Sequence, residues 1–299
     1  MKPDDAFAHD FVEANGLRFH VASCGPGDGD RLALCLHGFP ECWYSWRHQM
    51  PLLAELGYRV WAPDLRGYGE SSRPEGVRHY AVEALMEDVA GLIDASGAKR
   101  TLLLGHDWGA IIAWLFAIRK LRALDGLVIM NVPHPACYLR EWKRPDQFLR
   151  SWYAYLFQLP RLPEALLAGG VKPGERIGRM LQQSAVHKER FGPEVQRIYV
   201  ENAARPGAMT AMLHYYRAFA RGGGLARQRD LGFPVIETPT LMIWGERDQA
   251  LSIKTTRGTE AYVRDFTLRT VPTASHWVQQ DEPEVVNDML RAWLAVPDL

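Results

Sequence analysis

Leu102-Leu103-Leu104-Gly105-His106-Asp107-Trp108-Gly109-Ala110-Ile111-Ile112-Ala113-Trp114-Leu115 is the stretch from which the rest of the chain is read. An apolar run of buried-strand length meets Gly-x-Asp-x-Gly, and an apolar helical pattern follows without a gap. Such a strand–turn–helix elbow holds its central residue in a strained backbone conformation, with the side chain exposed above a sheet. Gly105 and Gly109 fit that geometry, because side chains there would collide where strand and helix cross. The central residue of such elbows is usually Ser; here it is Asp107.

That difference selects the chemistry. A serine oxygen attacking an acyl carbon gives an ester that water cleaves, but on an alkyl carbon it gives an inert ether. A carboxylate attacking an alkyl carbon gives an ester whose carbonyl belongs to the protein, and water can open it. Asp107 therefore points to substitution at saturated carbon: opening of an epoxide or displacement of a halide. An Asp here would also serve as a plain cap on the helix beginning at Trp108. The other strand ends decide between the two.

Outward from the elbow, strands alternate with helices. Leu32 to Leu36 is an apolar run fit for a strand buried on both faces, ending in His37-Gly38-Phe39-Pro40. A helix is expected over Trp46 to Leu56, a strand over Tyr58 to Ala62, and a helix over Tyr80 to Asp94. Leu127 to Met130 forms the next strand, followed by Asn131-Val132-Pro133-His134-Pro135. Further strands are expected at Thr240 to Trp244 and Phe266 to Val271, and a last helix from Glu284 to Leu294. At the start, Asn15-Gly16 between Phe11 to Ala14 and Leu17 to Ser23 is a hairpin signal. The expected fold class is α/β, a mostly parallel sheet flanked by helices with its site at the carboxyl ends of the strands. Between about 134 and 230 the pattern changes to crowded aromatics, arginines and prolines with short helical patches and no strand. We read a core of residues 1–133 and 231–299 carrying an inserted helical cap at residues 134–230.

Composition narrows the function class. Thirty-five basic residues balance thirty-five acidic ones, which favours neither nucleic acid nor a membrane as partner. The N-terminal residues lack the apolar core of a signal peptide, and no apolar run is long enough to span a bilayer. Cys24, Cys35, Cys42 and Cys137 show no metal-ligand spacing and read as reduced thiols of a cytoplasmic protein. The sequence carries no mark of oligomeric state.

An elbow nucleophile needs a base within reach and an acid to orient that base, in the chain order nucleophile, acid, histidine. Trp244 is followed by Gly245-Glu246-Arg247-Asp248, and Val271 by Pro272-Thr273-Ala274-Ser275-His276. His276 is the candidate base and Asp248 the acid, with Glu246 its rival. Ester hydrolysis also needs donors for an oxyanion; the main-chain N–H groups of Trp108 and Phe39 are the candidates.

Taken together, His37-Gly38-Phe39-Pro40, the Asp64 to Gly69 segment, Gly105-His106-Asp107-Trp108-Gly109, Asn131 to Pro135 and Trp244 to Asp248 resemble the α/β-hydrolase-fold epoxide hydrolases over nearly the whole chain. The resemblance implies two cap tyrosines that hold the epoxide oxygen. It assigns them to Tyr153 and Tyr216, with neighbouring Tyr155 and Tyr215 as alternatives. It implies a small apolar epoxide and water as substrates, and neither cofactor nor metal. Trp43, Trp46, Trp108, Phe39 and Phe157 suggest an aromatic pocket wall, so Trp43 and Phe157 are expected to touch substrate. Haloalkane dehalogenases share the elbow but often carry Asn where this chain has Phe39, and they need no cap tyrosines. A non-catalytic ligand receptor would not need the whole constellation.

Overall fold

The computed structural model describes residues 6–27, 29–169 and 174–296. Asn15 and Gly16 both take positive φ, 48° and 70°, as a tight hairpin turn requires. They join β1 (Ala8–Ala14) to β2 (Leu17–Cys24) in antiparallel register. The remaining strands are β3 (Arg31–Leu36), β4 (Arg59–Pro63), β5 (Arg100–His106), β6 (Gly126–Met130), β7 (Thr240–Gly245) and β8 (Phe266–Val271). Together the described residues form an eight-stranded sheet in the order β1-β2-β4-β3-β5-β6-β7-β8. β2 runs against β4, and every neighbouring pair from β4 to β8 is parallel. The fold class expected from the alternating pattern is the one observed.

Helices α1 (Met50–Glu55), α2 (Val82–Ser96) and α3 (Trp108–Arg119) connect the first strands. The helix expected over Trp46 to Leu56 is split: a 3₁₀ turn covers Trp43–Trp46 and α1 begins at Met50. Pro51 is the reason, since it has no N–H to donate to an earlier turn and is tolerated only in a helix's first one. α2 starts two residues later than its apolar spacing suggests, because Ala81 is extended, and it stops where Gly97 turns left-handed (φ 65°).

Between β6 and β7 the described residues form helices and turns and no strand. These helices are α4 (Pro135–Glu141), α5 (Pro145–Arg150), α6 (Trp152–Leu156), α7 (Leu162–Ala168), α8 (Glu175–Ser184), α9 (Pro193–Ala204), α10 (Ala208–Arg221) and α11 (Gly224–Asp230). After β8 come the short α12 (Val278–Asp281), which the sequence reading did not anticipate, and α13 (Pro283–Leu294).

Strand register positions the site. Leu36 pairs with Gly105, His106 with Met130, Met130 with Ile243, and Gly245 with Val271. The carboxyl ends of β3, β5, β6, β7 and β8 are therefore level, and the loops that leave them emerge side by side. Beneath them β5 and β6 are almost wholly buried, as parallel strands covered on both faces must be.

Candidate active site

Asp107 sits between β5 and α3 at φ 48° and ψ −118°, a conformation that costs a non-glycine residue about 1–3 kcal/mol. Close packing enforces it. A Cβ on Gly109 would lie 2.1 Å from the Leu36 carbonyl oxygen, and one on Gly105 would lie 2.6 Å from the Gly109 oxygen. Gly38 is equally constrained, since its Cβ would lie 2.3 Å from the Asp107 Cβ. Three glycines thus let the β3 loop and the elbow meet.

Both oxygens of Asp107 are engaged. The Phe39 N–H donates to Oδ1 at 2.7 Å, and His276 Nε2 lies 3.5 Å from Oδ2. The Trp108 N–H opens α3, where helix geometry gives it no intrahelical acceptor. His276 Nδ1 is 2.7 Å from Asp248 Oδ2, so Asp107, His276 and Asp248 form one chain of contacts. Glu246, the rival acid, is exposed, whereas Asp248 is buried.

Electrostatics follow from this crowding. Burial pushes the Asp107 carboxyl up, but the hydrogen bond and charge of His276 and the Phe39 N–H hold it below the usual carboxylate range. Burial would depress the His276 imidazole; the charge of Asp248 and the contact with Asp107 outweigh it and push the group up to about 10. A histidine between two carboxylates is therefore protonated in the resting site.

The helices between β6 and β7 supply the opposite wall. Tyr153 on α6 and Tyr216 on α10 have ring centroids 6.1 Å apart, and both line the same cavity as Asp107. Burial first, then the charge of Asp107, raises both phenols well above their ordinary value, which keeps them as O–H donors. Their neighbours point elsewhere. Tyr215 is fully buried and donates to the Arg66 carbonyl at 2.7 Å, while Tyr155 is half exposed and packs on Phe148. One position of register separates a cavity-lining phenol from a core one.

The cavity has two lobes that meet at Asp107. One, of about 160 Å³, is walled by Trp108, Ile111, Trp114, Val132 and Phe219. The other, of about 440 Å³, is lined by Phe39, Phe157, Trp152, Leu166, His276 and Trp277. Phe157 and Phe39 are thus in place, but Trp43 and Trp46 line neither lobe. Trp43 is turned toward the hairpin, with Phe7, His9 and Tyr44 around its ring. Its main-chain N–H donates to Asp64 Oδ1 at 3.0 Å. The ring packs among Phe7, His9 and Tyr44 and not in the cavity, so the expectation that Trp43 touches substrate is corrected.

Several supporting residues had no role in the sequence reading. Asn131, left-handed at φ 52° at the end of β6, donates to Asp248 Oδ2 at 2.7 Å and accepts from the Gly245 N–H at 2.9 Å. His106 bridges Glu41 Oε2 and the His276 carbonyl, both at 2.8 Å. Arg217 binds the Phe157 and Leu159 carbonyls (2.9 and 2.7 Å) and both oxygens of Glu164. It thereby fixes the chain just after α6 and the start of α7 to α10, beside Tyr216. The sequence signals were an Asn at a strand end, where Asn tolerates positive φ, and an Arg next to the chosen tyrosine.

A level row of strand ends bearing an elbow carboxylate, a second acid and a histidine in that order is the arrangement of an α/β-fold hydrolase. The α/β-hydrolase fold family matches residues 34–283. The AB hydrolase superfamily protein YfhM of Bacillus subtilis is 39% identical over 95% of this chain and 96% of its own length. Epoxide hydrolase 3 of Xenopus tropicalis is 38% identical, over 95% of this chain and 76% of its own. The crystal structure of epoxide hydrolase A from Mycobacterium thermoresistibile superposes with a TM-score of 0.83 at 30% identity, covering 96% of this chain and 98% of that one. The chain belongs to the α/β-hydrolase fold family and, within it, to the epoxide hydrolases.

Proposed function

We propose that the chain opens an apolar epoxide to a vicinal diol through an alkyl ester on Asp107, with residues 134–230 acting as a cap over the site. The observation that carries the reading is a carboxylate facing a cavity between two protonated phenols, backed by a histidine held between two acids.

Asp107 Oδ2 attacks a ring carbon; the new C–O bond forms as the epoxide C–O bond breaks. Tyr153 and Tyr216 donate to the departing oxygen, and one gives up its proton. Ester formation removes the negative charge of Asp107, so the His276 imidazolium loses one of the carboxylates that hold its proton. That proton returns through solvent to the phenolate. Neutral His276, oriented by Asp248, then takes a proton from water, and the hydroxide adds to the Asp107 carbonyl carbon. The resulting oxyanion forms at Oδ1, beside the N–H groups of Phe39 and Trp108. Collapse breaks the acyl carbon–Oδ2 bond, and the departing alkoxide takes the hydroxyl proton left on the acyl group; this releases the diol and leaves Asp107 a carboxylate beside the His276 imidazolium.

The two lobes suit an epoxide with apolar substituents, the smaller group in the 160 Å³ lobe and the longer in the 440 Å³ lobe. Four unpaired cysteines support a cytoplasmic setting.

A single turnover with enzyme in excess, in heavy-oxygen water, tests the route. Unlabelled diol and a labelled peptide containing Asp107 are expected. Labelled diol at once, with an unlabelled peptide, would overturn the covalent mechanism.

A further inference from the structure

Among the described residues, twelve large apolar side chains are exposed, and seven of them fall between Phe148 and Leu166. Leu149 is 70% exposed, Trp152 62% and Tyr155 50%. Phe148 packs its ring on Tyr155, so α5 and α6 present one surface rather than scattered points. Apolar surface this concentrated marks an interaction site in a water-soluble fold. Trp152 and Leu166 belong to it and also line the larger lobe of the cavity. The patch therefore adjoins the larger lobe of the site.

Its charge differs from that of the chain. The whole sequence is electrically balanced, yet the stretch from Arg140 to Leu166 carries five cations against three carboxylates, Glu141, Asp146 and Glu164, and Glu164 is paired with the buried Arg217. Glu141 is buried and ion-paired with Arg140 and Arg144. Asp146 is paired with Lys254. Lys143, ahead of Phe148, and Arg161, between Leu159 and Leu162, remain exposed. Exposed Trp, Tyr, Phe and Leu among Arg and Lys is the composition of segments that lie in the headgroup layer of an anionic bilayer.

We propose that this face docks peripherally on an anionic lipid surface, with the larger lobe of the cavity toward the acyl boundary. The balanced charge that argued against a membrane for the chain as a whole does not hold locally. A lipid surface fits better than a second protein copy, because a rigid partner seated here would cover that lobe, whereas a bilayer dissolves apolar epoxides and leaves the route to Asp107 open. Docking stands on the surface itself; delivery of substrate rests on the proposed function.

The test is sedimentation of the full chain with phosphatidylcholine vesicles, with and without phosphatidylglycerol. Binding is expected only with phosphatidylglycerol, and should weaken as salt rises. Leu149→Glu and Lys143→Glu, neither of which lines the cavity, should each weaken it. Since one cation near such a surface contributes about five-fold in affinity, reversing Lys143 should cost about ten-fold or more. Turnover of a water-soluble epoxide should be unchanged in both variants, which separates failure of docking from failure of the catalytic reading. Three results would overturn the proposal. One is equal sedimentation with both vesicle types, or none with either. Another is binding indifferent to both substitutions. The third is a lipid-free dimer that Leu149→Glu dissociates, which would assign the face to a second copy.

Discussion

Replacing Asp107 by Asn removes one unit of charge from the site with little change of shape, and the response of His276 tests the reasoning behind both half-reactions. Nε2 of His276 lies 3.5 Å from Oδ2 of Asp107. At an effective dielectric of about 20, unit charges at that distance attract by about 5 kcal/mol, or about 3.5 pH units. His276, pushed up to about 10 in the resting site, should therefore titrate at about 6.5 in Asp107→Asn. The proposed ester intermediate has the same charge as the Asn variant, so on the proposed route this is also the value at which His276 would work as a base. The assay is an NMR titration of the imidazole carbons from acid to alkaline pH. The ten histidines are sorted by the signal missing from a His276→Gln control. Stability should follow the same shift. A histidine raised above its unfolded value of about 6.5 stabilises the fold fully below that pH, and the contribution is lost as pH rises through about 10. The thermal midpoint should accordingly fall across that window more steeply in the parent than in Asp107→Asn. An imidazole still titrating near its parental value in the variant would refute the argument that ester formation frees the base.

Other outcomes follow from the same geometry. Tyr153→Phe and Tyr216→Phe should each slow ring opening about ten-fold or more, and the pair should nearly abolish it, as read by rapid-quench formation of the ester. Full activity in the double variant would remove the tyrosines from the mechanism. His276→Ala should accumulate a covalent adduct on Asp107, visible as a mass increase equal to the substrate; a variant that folds and binds substrate but forms none would count against the two-step route. Gly38→Ala places a methyl 2.3 Å from the Asp107 Cβ and should cost about 100-fold in kcat with the fold retained by circular dichroism, because small displacements of a nucleophile are expensive. Arg217→Lys cannot reach two carbonyls and Glu164 together; it should slow ester formation and leave ester hydrolysis unchanged, since only the first step uses the tyrosines it helps to position.

The strands were legible because parallel strands buried on both faces are short, continuous apolar runs, and Gly105-x-Asp107-x-Gly109 announces a close crossing that few other structures need. Convergence of His276 and Asp248 on Asp107 was legible for a topological reason: residues just past level strand ends must emerge together. Trp43 was misread because aromatic character says nothing of direction, and its main chain is held by Asp64, a contact 21 residues distant. The 3₁₀ break before α1 was available in Pro51 but masked by the apolar spacing around it. Tyr216 over Tyr215 was carried by likeness alone. On a helix buried on more than one side, adjacent tyrosines face different partners, and only packing separates them. Asn131, His106 and Arg217 share a further difficulty: each works through hydrogen bonds to distant main chain or carboxylates, and such partners leave no periodic trace.

The proposed chemistry divides along a seam of the fold. Everything that would cleave the ester (Asp107, His276, Asp248 and the two N–H donors) comes from the sheet and its loops, whereas both groups that would receive the leaving oxygen come from helices inserted between β6 and β7. A sequence can therefore retool what is bound and expelled in the first step by altering one contiguous block of about a third of the chain, without disturbing the machinery that resets the nucleophile. Variation in leaving group and substituent should concentrate in that block, and variation in the rate of ester breakdown outside it.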